Sequence, residues 1–214
     1  NAMLRSLLED FNELTLKPSV VGDEDVIGDA YQYMIERFAS DAGKKGGEFY
    51  TPSMASELLA RLVKPQENDR IYDPTCGSGS LLIRVANQVP NKKVAIYGQE
   101  RNGATHSLAL MNMYLHGIDD AQIEWGDTLA NPLHLEDGKL MKFQAIVANP
   151  PFSLDKWAMG FAGEGNADSK FKMDASLDPH RRFEWGVPPK SKGDYAFVQH
   201  MLYSLAENGR MATI

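Results

Sequence analysis

The chain has 214 residues, of which 43% are hydrophobic and 24% are charged, and this composition predicts one well-cored globular domain with a small extension. Its formal net charge of −7 argues against a stand-alone DNA clamp, because contacts with phosphates need Lys and Arg. No apolar run approaches the roughly 20 residues of a membrane helix, and the single cysteine, Cys76, excludes an internal disulfide and favours a reducing cytoplasm.

The first part of the chain is predicted to be helical. The two residues before Met3 are interpreted as a tag remnant and are set aside. Apolar side chains at helical spacing predict one helix over residues 3–16 and a second over about 25–38. A loop rich in Gly and Lys then precedes a third predicted helix, 53–63, with Ser53 as its N-cap.

From residue 70 onward, predicted strands and helices alternate. This alternation is typical of a mostly parallel sheet with helices on both faces. The predicted strands cover residues 70–73, 94–99, 122–125, 143–148 and 209–214, and the predicted helices cover residues 79–87, 105–116 and 194–207.

Two further segments bear on organisation. Residues 152–192 form a stretch rich in Gly, Ser, Asp, Lys and Pro, and so long an irregular connection in a compact domain is usually functional. The basic residues are partly clustered, at positions 44 and 45, 181 and 182, and 190 and 192, which would allow a local basic rim on an otherwise acidic domain. The chain stops at residues 211–214, inside a predicted buried strand. We therefore expect a fold that is truncated at its C-terminal end and belongs to a longer protein.

A glycine turn follows the first strand of the alternating region. The sequence from Asp73 to Ser80 reads Asp-Pro-Thr-Cys-Gly-Ser-Gly-Ser, and Gly77 and Gly79 allow a sharp turn and a close approach of the backbone to a ligand. The third glycine of a dinucleotide fingerprint is missing, so this pattern alone would also fit an ordinary tight turn. Cys76 is interpreted as a small turn residue, because no base that would activate a thiol is evident.

Acidic residues end or follow the next two strands. Glu100 comes about 20 residues after the glycine turn, where a carboxylate meets the two ribose hydroxyls of a nucleotide. Asp127 follows the strand that ends at Trp125, where it could accept a hydrogen bond from a purine amine. The alternatives are a solvated carboxylate for Glu100 and a turn-forming residue for Asp127. Together with the glycine turn, the two acids favour a nucleoside ligand.

The sharpest signal is the tetrapeptide Asn149-Pro150-Pro151-Phe152, directly after an apolar strand. The lone pair of adenine N6 is delocalised into the ring, so this nitrogen is a poor nucleophile. Acceptors at its two hydrogens, the Asn149 side-chain oxygen and the Pro150 carbonyl, would favour a tetrahedral nitrogen with a usable lone pair. Pro151 restricts the conformation of Pro150. Phe152 offers a stacking face for an extruded base, a contact of about 1–3 kcal/mol.

This chemistry needs no metal. A sulfonium methyl donor such as S-adenosylmethionine is already electrophilic. Catalysis then consists of aligning nitrogen, methyl carbon and sulfur, with electrostatic support for the amine as it becomes cationic. The five histidines show no paired spacing typical of a metal site, and we expect none.

In this order the motifs resemble the amino-methyltransferases whose cofactor motif precedes their catalytic motif. The chain looks most like the modification (M) subunit of type I restriction–modification systems. That subunit belongs to the N6-adenine DNA methyltransferases. The resemblance covers roughly residues 45–214. It implies an α/β, Rossmann-like, S-adenosylmethionine-dependent methyltransferase fold there, after a helical extension over residues 1–44. The segment 194–200 resembles the helix that this family packs near the target-base pocket.

The resemblance also implies which residues act. The catalytic residues would be Asn149, Pro150, Pro151 and Phe152, and the segment 47–52 would close over the methionine end of the cofactor. Cofactor contacts are implied for Tyr50, Thr51, Pro52, Asp73, Thr75, Gly77, Gly79, Ser80, Glu100, Asp127 and Thr128. The implied partners are duplex DNA with a flipped adenine, a specificity subunit that reads the DNA sequence, and a restriction subunit.

Three other functions stay open at this point. Methyltransferases of glutamine in release factors share the logic of the tetrapeptide, but they usually have Tyr where this chain has Phe152 and lack a segment like 47–52. RNA adenine methylation is the second alternative. The third is a degenerate methyltransferase fold used as an assembly scaffold, against which the intact Asp73, Glu100 and Asn149 argue.

Overall fold

The computed structural model describes residues 26–41, 50–158, 177–189 and 191–214, together with residues 5, 12, 15 and 17. Most of the helix predicted over residues 3–16 lies outside these ranges. The first three residues of the segment 47–52 and the middle of the irregular stretch 152–192 also lie outside them. No helix within the described ranges is long and apolar enough to cross a bilayer.

A five-stranded parallel sheet forms the centre of the fold. The strands, in chain order, are β1 (Arg70–Asp73), β2 (Ala95–Glu100), β3 (Gln122–Trp125), β4 (Leu135–Glu136), β5 (Lys139–Leu140), β6 (Phe143–Ala148) and β7 (Leu205–Thr213). The order across the sheet is β3-β2-β1-β6-β7, and each neighbouring pair is parallel, whereas β4 and β5 form a separate antiparallel hairpin. The predicted parallel sheet is confirmed. Its strand order reverses between β1 and β6.

Helices cover both faces of the sheet, as predicted. They are α1 (Val26–Asp41), α2 (Ser53–Val63), α3 (Ser80–Ala86), α4 (Gly103–Leu115) and α5 (Asp194–Ser204). Successive side chains of a strand point to opposite faces. Accordingly, Ile71 of β1 packs in one core cluster with α2, α3 and α4. Its neighbour Tyr72 packs in another with Met201 of α5. Outside this layer, α1 packs against α4.

The last helix and the last strand differ from the prediction. The helix ends at Ser204, because the chain pairs with β6 from Leu205 onward. A register shift between Phe143 and Ala145 lets the following residues bulge before pairing resumes at Arg210. β7 is half-buried rather than buried, since within the described residues it pairs with β6 alone.

One local prediction is corrected, and one small element of the fold was not predicted. Ser53 is the first helical residue of α2 and not its N-cap. The cap is Pro52, whose carbonyl accepts the first helical hydrogen bond, from the Ser56 N–H at 2.9 Å. The hairpin β4–β5 was not predicted. It turns at Asp137 and Gly138, which both have positive φ, as a two-residue hairpin turn requires.

Candidate functional site

The carboxyl ends of β1, β2, β3 and β6 surround a cavity of about 490 Å³. Ligands of open parallel sheets bind at this edge, beside the point where the strand order reverses. The volume lies within the range of about 300–1,000 Å³ that small-molecule sites occupy. The predicted site residues that line the cavity are Thr75, Glu100, Asp127, Thr128, Asn149 and Pro151.

The glycine turn is held firmly between β1 and α3. Gly77 and Gly79 have φ values of 55° and 78°. The left-handed backbone at Gly79 favours glycine, and a Cβ there would lie 2.7 Å from the terminal carbon of Met113, which would have to move. Asn112 of α4 donates from Nδ2 to the Ser78 carbonyl over 2.9 Å, which ties the turn to α4.

Glu100 joins the end of β2 to the glycine turn. Its Oε2 accepts a hydrogen bond from the Gly77 N–H at 3.0 Å, and its Oε1 accepts one from the Asn102 N–H at 2.6 Å. Burial raises the pKa of this carboxyl, and the N–H donors partly oppose that effect. A carboxylate has about four acceptor sites, so Glu100 keeps acceptor capacity for hydroxyl groups that enter the cavity.

Asp73 lies buried beneath the turn and does not line the cavity. Its Oδ1 accepts hydrogen bonds from the Thr75 N–H at 2.8 Å and from the Thr75 hydroxyl at 3.4 Å. Burial is the main reason that its pKa rises from the ordinary 3.8 to about 7, and the nearby charge of Glu100 adds to the rise. The carboxyl therefore shapes the cavity from below.

This shift predicts a pH-dependent stability that Asp73→Asn removes. Because the pKa of Asp73 is higher in the folded chain, the folded state holds a proton between about pH 4 and pH 7 that the unfolded state releases. Stability is therefore lost as the pH rises through this window, by about 2–4 kcal/mol, and the loss is complete above it. Asn keeps an oxygen that accepts the Thr75 N–H but carries no charge.

The measurement is the free energy of unfolding in denaturant, without ligand, at about pH 5 and about pH 8. We expect the natural chain to lose more stability than the variant between these values. All other titratable groups are common to both proteins, so the difference between the two reports Asp73 together with its interaction with Glu100. Parallel pH profiles would contradict the assignment.

Asp127 forms the turn after β3 and also faces the cavity. Its Oδ1 accepts hydrogen bonds from the Leu129 and Ala130 N–H groups at 3.0 and 3.1 Å, which is the turn-forming role that the sequence left open. Its Oδ2 lies 3.6 Å from Nε of Arg101. The Arg101 side chain is 71% exposed, so this ion pair is worth at most about 1 kcal/mol and leaves the oxygen available to a ligand.

The side-chain oxygen of Asn149 is a hydrogen-bond acceptor to which no group donates within the described residues. Its Nδ2 donates to the Thr51 hydroxyl oxygen at 3.3 Å, which sets the orientation of the amide. The opposite atom, Oδ1, is buried and has no hydrogen-bond partner in the part of the chain that the structure describes. Buried polar atoms of native proteins are nearly always paired, so an unpaired one calls for a functional reason. An amine that entered the cavity would supply the missing donor.

The other members of the tetrapeptide surround this acceptor. Pro150 is buried, and Pro151 lines the cavity. The side chain of Phe152 is 70% exposed, which leaves an aromatic face open at the carboxyl end of β6. An acceptor and an adjacent free aromatic face are the two features that a planar amine on a ring would need.

Some predicted site residues do not line the cavity. They are Tyr50, Thr51, Pro52, Asp73, Gly77, Gly79, Ser80, Pro150 and Phe152. Tyr50 does not reach the cavity; burial is the main cause of its raised pKa, and the nearby Glu36 carboxylate adds to the rise. Thr51 still reaches the site through Asn149.

Several lining residues were not singled out from the sequence: Arg101, Asn102, Thr105, Leu154 and Phe197. Phe197 lies in the helix that the family resemblance placed near the target base. One prediction is corrected. Arg181 is exposed, as a basic rim requires, but Arg182 is fully buried and cannot contribute to such a rim.

Comparison with known proteins gives a consistent set of relatives. The family model described as N-6 DNA Methylase matches residues 22–214. The chain is 37% identical to the type I restriction enzyme MpnII methylase subunit of Mycoplasma pneumoniae, covering 99% of this chain and 39% of the relative. It is 34% identical to the HindI methylase subunit of Haemophilus influenzae, covering 92% of this chain and 42% of the relative. The chain thus spans less than half the length of these relatives.

Solved structures agree with these relatives. The methyltransferase subunit of a type I restriction–modification system from Streptococcus thermophilus is 34% identical, with a TM-score of 0.79, and the match covers 100% of this chain and 43% of that one. A protein from Listeria monocytogenes named as a class I S-adenosylmethionine-dependent methyltransferase shares the fold, with a TM-score of 0.65 at 18% identity over 88% of this chain and 53% of that one.

Proposed function

Since the chain belongs to the N-6 DNA methylase family, we propose that it transfers a methyl group from S-adenosylmethionine to the N6 amine of a flipped adenine in DNA. The observation that carries this proposal is the buried, unpaired Oδ1 of Asn149 at the wall of the cavity. The relatives, which are named methylase subunits of type I restriction enzymes, support the same substrate.

The protein's part in the reaction is to activate and align the amine. Asn149 Oδ1 accepts a hydrogen bond from one N6 hydrogen, and the Pro150 carbonyl accepts one from the other. These bonds favour a pyramidal nitrogen whose lone pair points at the methyl carbon. The same oxygens stabilise the positive charge that the nitrogen gains as it forms its bond to the methyl group. The methylated nitrogen then releases one of its two protons to solvent and becomes neutral.

The residues present fit the methyl donor. Its ribose hydroxyls would donate to Glu100, and its purine amine would donate to Asp127; both residues line a cavity large enough for a nucleoside with a side chain. The donor supplies an electrophilic methyl group on a sulfonium, whose sulfur keeps the electron pair of the broken carbon–sulfur bond. The remaining task of the chain is to hold the two reactants in line.

The target base must leave the duplex to reach Asn149. An amine in a paired base is inaccessible inside the helix, so base flipping is part of this proposal. The exposed ring of Phe152 would stack on the extruded base, in a contact of about 1–3 kcal/mol.

The charge of the chain bears on its partners. A net charge of −7 provides little general affinity for phosphate. We therefore propose that a specificity subunit supplies most of the affinity for duplex DNA and reads its sequence. We also propose that a restriction subunit joins the same type I assembly.

The test is labelled methyl transfer by the natural full-length gene product with its specificity subunit. Unmodified duplex DNA, RNA and a peptide release factor are offered side by side. We expect label only in DNA, recovered as N6-methyladenine, and none in duplex from cells in which the system has already modified the sites. Label in RNA or in the release factor, or none in unmodified DNA, would contradict the proposal.

A further inference from the structure

A fully buried arginine stands next to the cavity without lining it. The side chain of Arg182 is 0% exposed and forms an ion pair with Asp178, which is also 0% exposed. Its Nε and Nη2 donate to the Asp178 carboxylate at 3.0 Å. Its Nη1 donates to the Thr128 carbonyl at 3.1 Å and to Nδ1 of His200 at 3.2 Å, and its Nη2 donates to the Leu129 carbonyl at 2.6 Å. These contacts employ all five guanidinium N–H groups.

The two carbonyls belong to the turn after β3. The N–H groups of that turn are already held by Oδ1 of Asp127. Asp127 therefore holds the donors of the turn, and Arg182 holds the acceptors at Thr128 and Leu129. The position of the Asp127 carboxylate, which faces the cavity, depends on both sets of contacts.

A second branch runs from the same arginine to the cavity wall. Because Nδ1 of His200 accepts from Arg182, its proton is on Nε2, which donates to the Tyr72 hydroxyl at 3.0 Å. Burial raises the pKa of the Tyr72 hydroxyl, and the neighbouring Thr128 side chain partly opposes that rise. Thr128 donates from Oγ1 to the Pro74 carbonyl at 2.6 Å. Thr128 and Pro74 both line the cavity. Arg182 reaches both of them through Thr128, whose carbonyl accepts a hydrogen bond from Nη1 of Arg182.

Stability alone does not account for such a cluster. Taking two charges out of water carries a large desolvation penalty, and apolar side chains of similar volume often stabilise a fold as well or better. What a guanidinium provides and a hydrophobic side chain does not is a rigid fork of donors that fixes several acceptors at once. The cluster is suited to geometric control of the turn that carries Asp127.

We propose that Arg182 is a positioning residue for the methyl-donor pocket, and that through it the segment 177–189 is coupled to occupancy of that pocket. This inference rests on the proposed function, because the ligand it concerns is the nucleoside part of the methyl donor. Arg182 touches no ligand itself. It acts through the turn formed by Asp127, Thr128 and Leu129.

The test is a double-mutant cycle on ligand affinity in the natural full-length gene product, with S-adenosylhomocysteine as the probe in calorimetry. The variant is Arg182→Met combined with Asp178→Leu, which leaves no unpaired buried charge. We expect its dissociation constant to rise by about tenfold or more. In an Asp127→Ala background the same pair should have a clearly smaller effect, because the carboxylate that it positions is gone and only its hold on Thr128 remains.

Glu100→Ala is the matched background. Glu100 lines the same cavity but receives no hydrogen bond from Arg182, so the full increase should persist there. An increase of the same size in both backgrounds would mean that the cluster serves general structure, and it would overturn the inference. A natural protein that does not bind the probe would overturn the proposed function as well, whereas unchanged affinity in the Arg182 variant would overturn the inference alone.

A second measurement needs no substitution. Hydrogen exchange of the natural protein should slow at Leu129, at Ala130 and across residues 178–186 when the probe saturates the pocket. Exchange rates in 178–186 that do not change on saturation would overturn the coupling, whether or not the variant folds.

Discussion

The Asn149→Ala variant is expected to lose methyl transfer by a factor of about 10³ or more, while it binds the methyl donor nearly as well as the natural protein. The substitution removes the buried oxygen that lacks a donor. It leaves in place Glu100 and the glycine turn, which we propose to hold the donor. The measurement pairs the rate of labelled methyl transfer to duplex DNA with the calorimetric dissociation constant for S-adenosylhomocysteine.

Two further variants sharpen this experiment. Asn87→Ala is the matched control, because Asn87 is exposed at the C-terminal end of α3; both quantities should stay unchanged. Thr51→Val removes the hydroxyl that accepts a hydrogen bond from Asn149 Nδ2, so the side-chain amide of Asn149 is free to rotate. We expect this variant to show an intermediate loss of the methyl-transfer rate. Full activity in Asn149→Ala would exclude this side chain from the reaction. An equal loss of donor binding would reassign it to the donor site.

The second large effect is expected for Glu100→Ala, which should raise the dissociation constant of the methyl donor by about 10- to 100-fold. Two charge-assisted hydrogen bonds to the ribose hydroxyls would be lost, worth about 1.5–3 kcal/mol together. The variant also removes the acceptor for the Gly77 N–H, so the glycine turn loses one of its anchors. Calorimetry with S-adenosylhomocysteine measures the change.

Glu67→Ala controls for the loss of a carboxylate. Glu67 lies before β1, away from the cavity, and pairs with Lys93 in an exposed contact at 3.3 Å. Its loss should leave the dissociation constant unchanged. Glu100→Gln retains one acceptor and should fall between the natural protein and Glu100→Ala. If Glu100→Ala had the same dissociation constant as the natural protein, this would contradict the assignment of Glu100 as the residue that binds the ribose hydroxyls.

The sheet and the strand-end residues were predictable from the sequence for a simple reason. Strand β6 is a mainly apolar run, and β1 and β3 are short segments that each place an isoleucine beside an aromatic residue or a charged one; the predicted bounds of all three are confirmed to the residue. Parallel strands direct their carboxyl ends to one edge. Polar residues that follow different strands, such as Glu100 and Asn149, are therefore brought to the same cavity although they are far apart in sequence.

The supporting contacts were not predictable, because they join residues that no local pattern links. Arg182 and Thr128 meet across 54 positions, and Tyr72 and His200 across 128. From the sequence, the pair Arg181-Arg182 looks like surface charge, and only packing separates the exposed residue from the buried one. The hairpin at Asp137-Gly138 did carry a turn signal. Its flanking strands are two residues each, too short to show alternation.

The unpaired Asn149 oxygen creates a trade-off between catalytic activity and the stability of the fold. A buried carbonyl without a donor destabilises the resting fold by about 1–3 kcal/mol, and the fold recovers this energy only while a base amine is bound. Selection for heat tolerance alone would accordingly favour an apolar residue at position 149 and discard the side chain that the reaction needs. Variants of this chain that are selected for thermal stability should therefore be measured for both melting temperature and methyl-transfer rate.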